Sequence, residues 1–136
     1  MGDRLNDDPV VITGIGCVSA VGAGREVNWS TILAGKGGVA SINRFDASDF
    51  PVQIAAQVTE FEPARYMEAK DARRADRFIQ FAVAASREAV EHAGLSITDD
   101  NAERVGVIIG TAMGGLGTFE EGVRTLQTRG PSRVSP

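Results

Sequence analysis

The chain has 136 residues, 43% of them hydrophobic and 24% charged, with a net charge of −4 at neutral pH. That length suits one domain or part of a larger one, and the acid excess argues against wholesale nucleic-acid binding. One cysteine excludes an internal disulfide, and with one histidine it does not supply an ordinary zinc site, so a reducing cytoplasm is expected.

In chain order, residues 1–8 read as a flexible acidic leader without the apolar core of a secretory signal. Asn6 stands where myristoylation after Met-Gly wants Ser or Thr. No apolar run in the chain is long enough to span a bilayer. The β-branched run "PVVIT" (9–13) predicts a strand buried on both faces. A helix follows over 25–35, "REVNWSTILAG", with Val27, Ile32 and Leu33 on its apolar side and Gly35 as a stop. Residues 36–51 are rich in Gly, Ser and Asp and predict a long surface connection, after which "VQIAAQV" (52–58) alternates weakly, as an edge strand does. "PARYMEAKDARRA" (63–75) predicts one or two short helical pieces.

Residues 76–93 carry the strongest helical periodicity, through Phe78, Ile79, Ala82, Ala85, Ala89, Val90 and Ala93. Asp76 is placed to cap that helix or stabilise its start by charge, and Gly94 to stop it in a left-handed turn. "RVGVIIGT" (104–111) predicts a second buried strand, running through "AMGGLG" into a helix over 118–130. Two passages from strand through glycine to helix favour a layered α/β fold with largely parallel strands. The last residues, "GPSRVSP", follow a helix without a closing strand, the pattern expected of a piece cut from a larger α/β unit.

Several motifs invite chemistry. Gly14-Ile15-Gly16 begins like a dinucleotide fingerprint, but the expected helix is delayed to about Glu26 and no second strand bearing an acid follows. "GTAMGGLG" lacks the Gly-Lys-Ser/Thr of a P-loop. Cys17 lies between Gly16 and Val18 with no neighbouring base or cation, which favours a buried packing residue over a nucleophile. His92 is suited to the end of its helix, where the macrodipole favours positive charge. Lys70, Arg73, Arg74 and Arg77 fall at i, i+3, i+4 and i+7, one side of a helix if these residues form one. Such a side is either a solvated face or a docking surface for an acidic or phosphorylated partner.

Taken in order, "VVITGIGCVSAVG", "WSTILAGKGGVASINRFD", "DRFIQFAVAASREAVEHAGL", "RVGVIIGTAMGGLGTFEEG" and "GPSRVSP" resemble the amino-terminal part of the β-ketoacyl-acyl-carrier-protein synthases, most closely the elongating type II enzymes. The resemblance implies a thiolase-like layered α/β fold, of which residues 9–136 form part of the N-terminal half, and a homodimer for the whole protein. It implies decarboxylative condensation of malonyl- and acyl-carrier-protein thioesters, with no cofactor. The family's catalytic cysteine and two histidines lie further along, so no catalytic residue is expected in this chain, and Cys17 belongs to the first-strand motif. The glycines of 14–22 are then expected to turn that strand sharply into its connection. Lys70, Arg73, Arg74 and Arg133 match basic positions that meet the acidic acyl carrier protein, while Ser132 stands where a second base is frequent. Met113 matches a position lining the acyl pocket near the dimer interface.

Overall fold

The computed structural model describes residues 9–135. The expected leader, and with it Asn6, lies outside the described residues. Four helices dominate: α1 (Arg25–Leu33), α2 (Ala69–Ala72), α3 (Arg77–His92) and α4 (Leu116–Arg129). Two antiparallel pairs of short strands accompany them, β1 (Val18–Ser19) with β2 (Gly22–Ala23), and β3 (Val39–Ser41) with β4 (Ile54–Ala56). The periodicity places α1, α3 and α4 within two residues of their observed ends, and the expected helical pieces after Pro63 are a 3-10 turn (Pro63–Arg65) and α2. Gly35 and Gly94 adopt the left-handed conformation, φ 67° and 61°, where stops are predicted.

Three expectations about strands are corrected. Residues 9–13 and 104–111 run outside any ladder, and the paired strands are antiparallel rather than parallel. A β-branched run favours extended backbone, but a ladder also requires a second edge in register, and none meets either run among the described residues. Both runs are accordingly open to solvent: Val10 is 102% exposed and Ile108 96%. The third correction concerns the long connection after α1, which is not all loop. Its residues Val39–Ser41 pair with Ile54–Ala56, so the predicted edge strand has its partner where turn-formers predominate.

Helix α3 organises its neighbours. The approach of the first connection is close enough that a β-carbon on Gly14 would lie 2.1 Å from the Ala89 carbonyl oxygen, and one on Gly16 1.8 Å from that of Ala85. These two glycines serve close packing onto the small-residue face of α3, rather than the sharp exit of a strand. The Glu88 carboxylate accepts from the Cys17 amide (2.9 Å) and from the Arg25 amide (2.7 Å), so α3 supplies the acceptor that Gly24 cannot offer at the start of α1. Buried Asn28 completes this corner, donating to the carbonyls of Gly22 and Gly24 and accepting from Ser19. On another side of α3, Phe81 packs edge-on to Phe61, which stacks on Tyr66 with ring centroids 5.5 Å apart.

Candidate functional site

The basic residues singled out in the sequence do not share one helix. α2 ends at Ala72, Arg73 to Asp76 form a turn, and α3 starts at Arg77. The break has a visible tie: buried Gln80 reaches back and donates to the carbonyls of Ala72 (2.8 Å) and Ala75 (3.1 Å). This amide satisfies carbonyls that a continuous helix would have used, and it holds the turn that displays Arg73 and Arg74 to solvent.

Beside that turn lies an open groove of about 980 Å³. Arg73 and Arg74 line it from one side, and Arg133, from the 3-10 turn after α4, joins them although it is remote in sequence. Arg44 and Arg77 also line it, with Glu121 of α4 among the facing residues. Lys70 is exposed on α2 and does not line the groove. Met113, 72% exposed in the loop before α4, lies outside it too.

The five arginines are not equivalent. Arg77 donates from Nη2 to the Val58 carbonyl at 2.8 Å, and its guanidinium lies 4.8 Å from the ring centre of Phe81 and 5.7 Å from that of Phe61. Burial, and then the positive charge of Arg44, pull it below the ordinary arginine range. It is an internal anchor, so the expected set of four helical cations loses this member. Arg44, Arg73, Arg74 and Arg133 are exposed and belong to no ion pair among the described residues. The groove's carboxylates are engaged locally: Glu121 pairs with Arg124, and Asp76 serves α4.

That last contact departs from expectation. Asp76 stands at the N-cap position of α3 yet makes no side-chain cap there; its Oδ2 accepts from the Thr118 amide (3.0 Å) and hydroxyl (2.7 Å). These two hydrogen bonds, the hydroxyl's first, hold the Asp76 carboxyl below its usual range. Thr118 is the third residue of α4, whose own N-cap is Gly115, so the carboxylate fills the capping role from a separate segment. A second groove of about 520 Å³ adjoins this contact, lined by Phe78, Ile79, Phe119, Val123 and Leu126.

In the first-strand motif the backbone, not the cysteine side chain, makes the visible contacts. Cys17 is half-buried rather than fully buried, and the Ile15 amide donates to His92 Nδ1 at 3.0 Å. That bond requires an unprotonated Nδ1 and ties the end of α3 to the glycine segment. Sequence distance concealed this partner. Among the described residues no group of His, Cys, Asp and Glu is arranged to hold a metal ion, and no helix is long and apolar enough to cross a membrane.

Residues 7–136 match the family model described as Beta-ketoacyl synthase, N-terminal domain. The chain belongs to this family. The chain is 49% identical over 127 residues to 3-oxoacyl-[acyl-carrier-protein] synthase 2 of Coxiella burnetii, a match covering 93% of the chain and 31% of that protein. It is 45% identical over 127 residues to the protein of the same name from Vibrio harveyi, with the same coverage. The Synechocystis counterpart is 40% identical over 133 residues, 98% of the chain and 32% of that protein. The chain thus spans about a third of the length of the curated relatives it matches. Among solved structures, the ishigamide ketosynthase/chain length factor superposes with a TM-score of 0.71 at 31% identity, over 93% of this chain and 32% of that one. A type II polyketide ketosynthase, solved with its acyl-carrier protein, gives a TM-score of 0.68 at 24% identity over the same shares, a likeness of fold. The thiolase-like α/β class expected from the sequence is therefore the class of its structural neighbours, although the parallel layer is not formed among the described residues.

Proposed function

We propose that this chain is the N-terminal part of a 3-oxoacyl-[acyl-carrier-protein] synthase that lengthens fatty acyl chains. The observation that carries the reading is the 49% identity to a synthase of that name. In the reaction, a cysteine thiolate supplied outside these residues attacks the thioester of acyl-carrier protein, takes the acyl group as a new thioester and releases the carrier's thiol. Malonyl-carrier protein loses carbon dioxide, and the resulting carbanion attacks the thioester carbonyl and expels the thiolate. The enolate oxygen formed on decarboxylation is stabilised by two histidines that also lie outside this chain. Cys17 and His92 take no part, because both serve the packing of the first connection on α3.

The role assigned to the present residues is recognition. Lys70, Arg73, Arg74 and Arg133 meet the acidic face of the carrier protein, and the convergence of three of them on one groove supports this assignment. Lys70 is exposed on α2 outside the groove. Met113 lines the acyl pocket of a cytoplasmic homodimer; its unbranched, polarisable side chain suits a wall that accepts chains of different length.

Full-length protein is expected to convert acyl- and malonyl-carrier protein to the lengthened 3-oxoacyl product with release of carbon dioxide, and residues 1–136 alone to form none. Product from the 136-residue chain overturns the division of labour, and failure of the full-length protein overturns the reaction. The 31% identity to a ketosynthase/chain length factor favours a second reading, a polyketide ketosynthase or its silent partner subunit. A full-length protein that is inactive alone and active only beside a separate ketosynthase would replace the first reading with this one.

A further inference from the structure

We infer that Arg44 is a further docking residue for the acidic carrier protein, completing with Arg73, Arg74 and Arg133 a cluster of four solvent-facing guanidinium groups around one groove. The inference rests on the carrier-docking reading above. Nothing in the local sequence marks Arg44, which sits alone in a stretch rich in Gly, Ser and Asp. Its position comes from the fold.

The loop that carries it is fixed on both sides. Ahead of it, the Ile42 amide donates to the Gln53 carbonyl (2.9 Å), extending the β3–β4 ladder, and the Asn43 amide donates to Gln57 Oε1. Behind it, Phe45 meets Phe50 edge-on at 5.7 Å, Asp46 Oδ1 accepts from the Ser48 amide (3.0 Å), and Ala47 is buried. A short, braced loop loses little freedom when it binds, which is how preorganised contacts gain affinity. Arg77 limits where the Arg44 head can go. Its guanidinium is held by the Val58 carbonyl and the two aromatic rings, and this fixed cation repels the Arg44 guanidinium beside it. Arg44 is exposed and thereby remains a solvated charge, unpaired among the described residues. Exposed charges of this kind act on encounter rate and salt dependence.

The test measures binding of fluorescently labelled acyl carrier protein to full-length protein across a salt series. Arg44→Glu is expected to weaken binding about three- to ten-fold at low salt and to flatten its salt dependence, with Arg44→Lys within about two-fold of wild type. Arg73→Glu serves as the reference for the docking surface. Arg104→Glu, on the 3-10 turn Ala102–Arg104 outside the groove, reports the effect of net charge alone. Wild-type binding by Arg44→Glu while Arg73→Glu is impaired overturns the assignment of Arg44 and leaves carrier docking intact. Equal weakening by Arg44→Glu and Arg104→Glu also overturns it. Unchanged binding by both Arg44→Glu and Arg73→Glu removes the docking reading together with the inference.

Discussion

Gly16 shows how one missing β-carbon sets an interface. The position lies against the Ala85 carbonyl of α3, and the added methyl of Gly16→Ala would sit 1.8 Å from that oxygen, on backbone at both sides. Neither partner moves without displacing its element, so the change is expected to destabilise by about 1–3 kcal/mol, as overpacking does. Gly37→Ala is the matched control, since nothing lies within 4 Å of the new atom and the effect is expected to stay within about 0.5 kcal/mol. Denaturant melts of the two variants in full-length protein make the comparison. Equal melts would mean that the approach of the first connection to α3 is looser than described. In the fingerprint-like Gly14-Ile15-Gly16 both glycines lie against the backbone of α3.

Helices α1 and α4 share a device, since each begins at a glycine and takes its capping carboxylate from another segment, α1 from α3 and α4 from the residue just before α3. Glu88 serves the Arg25 amide and Asp76 the Thr118 amide. For Asp76 the consequence is a pH dependence with a definite sign. Its carboxyl titrates below the ordinary value of 3.8 because Thr118 donates to the charged form. The resulting stabilisation is therefore present above the unfolded value and is lost as pH falls through the lower, folded one. Acid titration of α4 amide protection by hydrogen exchange is expected to show this loss in wild type and a flatter profile in Asp76→Asn. Identical profiles would remove Asp76 as the cap of α4. Because the turn before α3 carries Arg73 and Arg74, the same contact also fixes α4 beside the basic groove.

The whole molecule exposes 11406 Å², whereas a compact monomer of 14.3 kDa exposes about 6,800 Å². Only Ala47 and Ala84 among the described apolar residues are buried, while Val10, Ile12, Val107 and Ile108 lie open. Exposed apolar surface on this level is built to be covered. The 136-residue chain by itself is expected to melt without a sharp transition and to raise the fluorescence of an apolar-surface dye at neutral pH. A cooperative, reversible melt of the monomer with no dye response would show that its open faces close on one another.

Local chemistry makes part of this protein legible in advance. Three-four spacing locates α3, and glycines end α1 and α3 because only residues a turn apart need agree. Family membership is equally legible, since five separate stretches keep their order along the chain. Strand pairing was not: among the described residues the most β-like runs stay unpaired, and a glycine- and serine-rich segment forms β3, because pairing depends on a distant edge rather than on the run itself. Which cations line one groove was legible only in part, since the resemblance groups Arg133 with Arg73 and Arg74 but nothing in the sequence adds Arg44 or removes Arg77. Arg133 and Arg44 join Arg73 and Arg74 only when separate segments are packed around the turn, and Arg77, indistinguishable from its neighbours in sequence, is withdrawn by a carbonyl and two rings. Charge is a property of each side chain, but its availability is decided by what the folded chain sets beside it.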